Sequence, residues 1–137
     1  MNVAEFLNIN TAKFPMKPAI GFKKKEKWTE INWSDFRRLV FKTANALREA
    51  GISEDDKVAI YSDNSAEWII TDLAILSLGA VTVPIYSTNN EEQSEYILNE
   101  SECKMILVGN QEQYDAAFNI LKMNQVLTQI IVAEKSI

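Results

Sequence analysis

Histidine is absent from this sequence of 137 residues, and cysteine occurs once, at Cys103. Histidine is the commonest general base and the commonest metal ligand, so its absence excludes many catalytic and metal-binding arrangements. One cysteine without a histidine provides neither a zinc site nor a Cys–His pair, and it excludes an internal disulfide. These features fit a reducing compartment, so we expect a cytoplasmic protein in which Cys103 is a buried, inert thiol.

Glycine is also scarce, and the four glycines stand singly at positions 21, 51, 79 and 109. No glycine-rich phosphate loop of either common type can be written from them. The sequence therefore offers no catalytic residue and no metal ligand, and its cofactor-binding residues remain unknown. A nucleotide could still be held at a helix N-terminus beyond the end of a strand.

Long apolar runs are missing as well. The longest apolar stretch, residues 68–83, is interrupted by Thr71, Asp72, Ser77 and Thr82, so it is too short and too polar to span a bilayer. The N-terminal sequence MNVAEFLNINTAK has no basic region followed by an apolar one, which excludes a recognisable secretory signal.

Charge is distributed unevenly along the chain. Residues 1–50 contain ten lysines and arginines against five acids, whereas residues 51–137 contain four against fourteen. The net charge of −5 argues against nucleic acid as a partner. Four lysines between positions 23 and 27 form the basic cluster of the sequence. We interpret this cluster as a solvated turn, with an anion or a peripheral membrane surface as the alternative.

The first third of the sequence predicts two helices and a hairpin. Residues 3–13 have the pattern of a short helix, and residues 19–22 and 28–33 alternate as the strands of a β-hairpin. Asn32 is placed to cap a helix that ends at Gly51.

A βαβ unit is predicted next. Residues 58–61 form a buried strand, followed by a helix over 65–78 that Asn64 would cap, and by a strand over 80–85. The short links predict parallel strands joined by a right-handed crossover.

The helix over 65–78 is apolar nearly all round, which predicts burial on more than one side. We therefore expect three of its side chains to lie between the sheet and neighbouring helices: Ile69, Leu73 and Leu76. The three tryptophans are interpreted as core residues: Trp28, Trp33 and Trp68.

A second round of the same pattern follows, with a helix over 91–99 capped by Asn90, a strand over 105–108, a helix over 113–122 and a buried strand over 129–133. The predicted fold class is α/β, with a largely parallel sheet, βαβ crossovers and an N-terminal β-hairpin. We expect residues 1–137 to form a single domain.

The last predicted strand is followed by the short tail Ala133 to Ile137 and by no covering helix. Parallel strands usually continue into a crossover helix that covers them. We therefore expect an incomplete piece of a larger N-terminal domain. An uncovered strand edge recruits other chains, so we also expect the isolated polypeptide to self-associate.

Polar residues follow two of the predicted parallel strands, at 62–65 and at 86–90. Open α/β sheets bind ligands at the carboxyl ends of their strands, which makes these loops candidates for a binding site. The alternative is that the same residues serve as helix caps and turns. Pro84 ends its strand without a backbone N–H, which indicates a sheet edge that opens toward a site.

Three segments in series closely resemble the N-terminal region of AMP-forming acyl-CoA synthetases of the adenylate-forming superfamily. They are KVAIYSDNSAEW, LGAVTVPIYST and EYILNESECKMILV, in this order and spacing. The resemblance covers about residues 15–137 and is strongest to the long-chain fatty-acid branch.

The resemblance implies a ligase that activates a fatty acid with ATP and Mg²⁺ as an acyl-adenylate and then transfers the acyl group to coenzyme A. The phosphate-binding loop, the acidic motifs and the catalytic lysine of such enzymes lie further downstream, so no catalytic residue is carried over. We expect the chain to be an N-terminal fragment that is inactive alone. The alternative is a self-standing small α/β module for ligand binding or regulation.

Overall fold

A computed structural model describes residues 1–133, which form one antiparallel hairpin and one parallel sheet with helices on both faces. The elements follow one another in the order α1 (Val3–Lys13), β1 (Pro18–Lys24), β2 (Lys27–Asn32), α2 (Trp33–Glu49), β3 (Lys57–Tyr61), α3 (Ala66–Ser77), β4 (Val81–Ile85), α4 (Glu91–Ser101), β5 (Met105–Val108), α5 (Gln111–Met123) and β6 (Gln129–Val132). The predicted α/β class, the parallel βαβ crossovers and the N-terminal hairpin are confirmed.

The parallel sheet has the strand order β4-β3-β5-β6. The chain moves from β3 through α3 to β4 at one edge, then crosses back past β3 through α4 to β5. One hydrophobic core joins α1, α2, α3 and the hairpin to one face of the sheet, and a second joins α4 and α5 to the other face. Strand alternation explains the division, because Val58 and Ile60 belong to the first core while Ala59 and Tyr61 belong to the second.

Helix α2 follows directly from its sequence. The side chain of Asn32 accepts a hydrogen bond of 2.8 Å from the backbone N–H of Asp35, as the predicted cap requires. The buried residues recur at intervals of three and four, and they are Phe36, Val40, Ala44 and Leu47. Gly51 then takes a φ of 103°, a left-handed conformation that favours glycine and ends the helix.

Helix α3 differs from the prediction in its cap and in its burial. It begins at Ala66, because the side chain of Ser65 rather than Asn64 accepts the backbone N–H of Trp68 at 3.1 Å. Ile69 and Leu76 are 41% and 42% exposed, so their predicted burial is wrong. The two residues are seven positions apart and share one side of the helix, which neither the sheet nor α2 covers.

The remaining apolar side chains of α3 are either buried in the first core or half-buried at its edge. Ile70, Ala74 and Ile75 face the sheet and α2 and are buried, whereas Leu73 is only half-buried at the edge of the same core. The helix is therefore buried along the side that faces the sheet and α2. It contains more apolar residues than this side can hold, so some of them are exposed.

One tryptophan also departs from the prediction. Trp28 is 73% exposed, because its cross-strand partner is Lys23 and this pair lies on the hairpin face opposite to the pair Phe22 and Thr29. The other two tryptophans pack against the first core as predicted. The ring of Trp33 makes edge contacts with Phe6 and Phe36, at centroid distances of 5.6 and 6.0 Å.

The second half of the sheet follows the prediction closely. Asn90 caps α4 in a capping box with Gln93, and α5 begins two residues early because Asn110 caps it. The last strand is half-exposed rather than buried, and Val132 is 54% exposed. Of the predicted tail 133–137, only Ala133 lies within the described residues.

No helix among residues 1–133 is long and apolar enough to cross a membrane.

Candidate functional site

The loops that follow β3 and β4 meet at the carboxyl edge of the sheet. Residues 62–64 and 84–87 line a shared cleft of about 540 Å³, and Trp68 of α3 completes its wall. The two strands are parallel neighbours, with Tyr61 opposite Ile85, so both chains leave the sheet at the same level. The structure thus brings together the first parts of the two loops that the sequence singled out. We call this space the strand-end cleft.

Pro84 lies in an edge strand, as its missing backbone N–H predicts. In the described residues β4 is an edge strand that pairs with β3 alone, and Pro84 lies opposite Ile60. An edge strand tolerates a residue without a backbone N–H, whereas a central strand would lose a ladder hydrogen bond. Tyr86 then leaves the sheet with 81% of its surface exposed.

The loop over 86–90 serves two purposes. Tyr86 and Ser87 line the strand-end cleft, whereas Asn89 and Asn90 lie at a second cleft of about 500 Å³ toward α5. The hydroxyl of Tyr61 donates a hydrogen bond to the carbonyl of Asn89 and fixes the loop to the end of β3. The interpretation as caps and turns therefore holds in both loops, because Ser65 and Asn90 cap helices and the backbone N–H of Asn89 donates to the carbonyl of Tyr86 at 3.0 Å. The residues Tyr86 and Ser87 nevertheless line the strand-end cleft.

The space between the ends of β3 and β5 is closed by packing. This is the point at which the strand order reverses, where doubly wound sheets commonly bind ligands. A Cβ added to Gly109 would overlap Ser62 Oγ and lie 3.0 Å from Ser62 Cβ. The backbone N–H of Gly109 donates to the buried side chain of Gln113 at 3.0 Å, and only about 70 Å³ remains open there.

The chemistry of the strand-end cleft is polar but nearly uncharged. Asp63 is the one charged residue among its lining residues, and the rest supply hydroxyls, an amide and aromatic or apolar surface. A triphosphate with Mg²⁺ requires cationic side chains and several oxygen ligands, so these residues do not fit it. Within residues 1–133, no group of three possible metal ligands is clustered. The cleft fits an uncharged, partly apolar portion of a ligand.

Sequence reasoning did not assign Trp68 and Pro84 to the lining of one site. Trp68 follows the cap residue Ser65 by three positions, so the first turn of α3 carries its ring to the carboxyl edge. That signal was present in the sequence, but the pairing of β3 with β4 was needed to interpret it.

The single cysteine lies outside this site. Cys103 is fully buried, and its sulfur lies 3.1 Å from the hydroxyl of Ser101. Burial, which was predicted, raises the pKa of the Cys103 thiol and so favours its protonated form.

Comparison with known proteins identifies the family. The model of the AMP-binding enzyme family matches residues 7–136. The chain is 30% identical over 120 residues to the human long-chain-fatty-acid–CoA ligase ACSBG2, an alignment that covers 88% of this chain and 18% of the ligase. It is 38% identical over 79 residues to the ligase FadD15 of Mycobacterium bovis, covering 58% of this chain and 13% of that protein. The chain thus spans less than a fifth of these relatives.

Solved structures show the same fold. The long-chain-fatty-acid-CoA ligase FadD1 of Archaeoglobus fulgidus superposes with a TM-score of 0.87 at 21% identity, over 100% of this chain and 28% of that chain. The N-terminal domain of FACL13 from Mycobacterium tuberculosis gives a TM-score of 0.82 at 22% identity, over 96% of this chain and 33% of that chain. With homology to the N-terminal region of long-chain fatty-acid–CoA ligases, this chain belongs to the AMP-binding enzyme family.

Proposed function

We propose that this chain is the N-terminal part of a long-chain fatty-acid–CoA ligase, which uses ATP to form an acyl-adenylate and then transfers the acyl group to coenzyme A. The observation that carries this proposal is the family match over residues 7–136, together with relatives named as long-chain ligases. These matches do not favour a self-standing ligand-binding or regulatory module. Because the chain covers about 18% of the human relative, the activity is proposed for a longer protein.

The chain itself contributes scaffold and one wall of a ligand site. The strand-end cleft, with Tyr86 and Trp68 at its wall, takes an uncharged, partly apolar portion of a substrate. The phosphates of ATP and the Mg²⁺ ion bind to residues that the described part of this chain does not supply. In this proposal residues 1–137 form one partial AMP-binding domain of a cytoplasmic enzyme of lipid metabolism. A fatty-acid substrate partitions into membranes, so peripheral membrane association belongs to the proposal.

The isolated chain should be catalytically silent. We expect no ATP–pyrophosphate exchange with a long-chain fatty acid, because the sequence has no phosphate loop and no histidine. Exchange above a control without protein would contradict the proposal that the catalytic residues lie outside this chain.

The open reading frame that encodes this chain provides the direct test. Its complete product should form a long-chain acyl-CoA in a reaction that requires both ATP and CoA. In that product, Tyr86→Ala should raise the KM for the fatty acid or for CoA while leaving the KM for ATP unchanged. Tyr96→Ala is a matched control, because Tyr96 is an exposed tyrosine on α4 that does not line the strand-end cleft. A reading frame that ends at Ile137 would contradict the proposal, and so would a complete protein that forms no acyl-CoA thioester.

The isolated polypeptide should also self-associate through its sheet edge. Ile131 lies in the edge strand β6, and the neighbouring Val132 is more than half exposed. We expect a dimer or a larger species in size exclusion with light scattering at micromolar concentration. Ile131→Lys should weaken that species. A stable monomer near 15.6 kDa would count against this part of the proposal.

A further inference from the structure

The tip of the β1–β2 hairpin carries the basic cluster of the sequence on a convex, exposed turn. Lys24 pairs with Lys27, and Lys25 and Glu26 form a two-residue turn with φ values of 49° and 68°. Positive φ at both positions is the geometry of a type I′ hairpin turn. All residues from 23 to 28 are exposed, and we call them the hairpin tip.

An aromatic ring stands beside these lysines. Trp28 is 73% exposed on the outer face of the hairpin, and the Nζ atom of Lys23 lies 5.5 Å from its ring centroid. Tryptophan combines a large apolar surface with a polar N–H, and in membrane proteins it concentrates at the level of the lipid headgroups. Trp28 belongs to neither hydrophobic core.

The charge at the tip is opposite to that of the rest of the molecule. Four lysines stand at the tip against Glu26, with Glu30 next along the outer face of the hairpin and Glu67 lining a neighbouring cleft with Lys23. The strand-end cleft and the cleft toward α5 have only acidic charged residues in their linings. An anionic surface would therefore attract the hairpin tip and repel the two clefts at the carboxyl ends of the strands.

We propose that the hairpin tip docks on the surface of an anionic lipid bilayer, with Trp28 at the headgroup level and the lysines against the headgroup charges. Each lysine near such a surface contributes about fivefold in affinity, so Lys23, Lys25 and Lys27 together give a weak but measurable attraction. A single-stranded nucleic acid instead requires a groove lined by successive aromatic rings, and the tip is convex with one ring. This inference deepens the proposed membrane association by naming the surface and the lipid class, and it requires no enzymatic activity.

The test measures binding of the chain to sedimenting vesicles at about 0.1 M salt, where surface charges still interact over roughly 10 Å. Vesicles of phosphatidylcholine with about one-third phosphatidylserine should bind the chain, and pure phosphatidylcholine should not. Lys25→Glu with Lys27→Glu should weaken binding about tenfold or more. Trp28→Thr should weaken it severalfold and remove a quench of tryptophan fluorescence by brominated lipid.

A matched control separates the tip from net charge. Lys42→Glu with Lys122→Glu makes the same charge change on the exposed surfaces of α2 and α5, and it should leave binding within about twofold. Circular dichroism should show that both double variants remain folded. Equal losses in the two variants would overturn the proposal, as would absence of binding to anionic vesicles. Binding to a single-stranded RNA without binding to vesicles would assign the tip to nucleic acid and overturn it as well.

Discussion

The parallel sheet is built differently at the amino ends of its strands, here called the amino edge, and at their carboxyl ends, the carboxyl edge. At the amino edge, backbone hydrogen bonds join each strand start to its neighbour, as in Val81 N–H to Asp56 and Lys104 N–H to Lys57, at 2.8 and 2.9 Å. The side chain of Lys104 adds a bond of 2.7 Å to the carbonyl of Gly51 and an ion pair of 3.3 Å with Asp56.

At the carboxyl edge, the loops separate after the strands and leave clefts of about 500 Å³ between them. A few contacts, such as that of Tyr61 with Asn89, position these loops without filling the space. The two ends of the strands therefore differ in how tightly the connecting segments are held. Hydrogen bonds join the strand starts at the amino edge, whereas open space remains between the loops at the carboxyl edge.

The largest effect should come from the packed amino edge. Ile52 follows α2 in the loop before β3 and is 1% exposed. Truncation of a fully buried isoleucine leaves a cavity, so Ile52→Ala should destabilise the chain by about 2–5 kcal/mol in urea unfolding.

Tyr86→Ala is the counterpart at the carboxyl edge. Tyr86 is 81% exposed, so we expect a change within about 0.5 kcal/mol. Equal losses for the two variants would erase the distinction between the edges.

The next effect concerns the closed space between the ends of β3 and β5. Gly109→Ala introduces a Cβ that overlaps Ser62, and overpacking of this kind costs about 1–3 kcal/mol. Gly21→Ala is the matched control, because its nearest heavy atom would be 3.9 Å from the new Cβ. Chemical denaturation of both variants checks the difference. A Gly109→Ala variant as stable as the control would show that the loops move apart freely.

A smaller effect is expected at the contact between two carboxyl-edge loops. Tyr61→Phe removes the hydroxyl that bonds to the carbonyl of Asn89 and should cost about 0.5–1.5 kcal/mol. Amide hydrogen exchange should accelerate in residues 86–90 more than at the amino edge. Uniform acceleration across the chain would mean that this bond stabilises the whole fold instead of the loop.

The smallest effect is a pH dependence at the amino edge. A hydrogen bond from the Ser53 backbone N–H, at 2.9 Å, lowers the pKa of the Asp56 carboxyl, and Lys104 contributes in the same direction. A lowered pKa in the folded state stabilises the chain above the unfolded pKa, about 3.9, and this stabilisation is lost as the pH falls through the folded pKa.

Asp56→Asn should therefore lower the melting temperature slightly at pH 7, and the difference from the wild type should shrink below about pH 4. Thermal melts from pH 3 to pH 7 measure it. A difference that stays constant over this range would assign the effect of the substitution to something other than ionisation.

The elements of this fold could be predicted well where local signals agree. Asn32, Asn90 and Gly51 mark helix ends through their own hydrogen bonds or backbone conformation, which a sequence contains directly. Asn64 is the predicted cap of α3, but the adjacent Ser65 can also serve as a cap, and its side chain is the one that accepts the backbone N–H of Trp68.

Burial was less predictable than secondary structure. Ile69, Leu76 and Trp28 are apolar, but exposure depends on which side of a helix or hairpin has a neighbour. The lining of the strand-end cleft likewise depends on which segments become neighbours in the fold. The sequence indicated two loops at strand ends, at 62–65 and 86–90, but it did not indicate that half of the second loop turns away toward α5.

The sequence by itself determined the order of helices and strands, the parallel βαβ connections and the resemblance to the family, because these depend on periodicity, caps and short motifs along the chain. The tertiary structure decided which strands became neighbours, which apolar faces stayed exposed and which residues met in one cleft. These properties depend on pairing between distant segments. The parallel alignment of Tyr61 with Ile85 brought Ser62, Trp68 and Tyr86 to a single site.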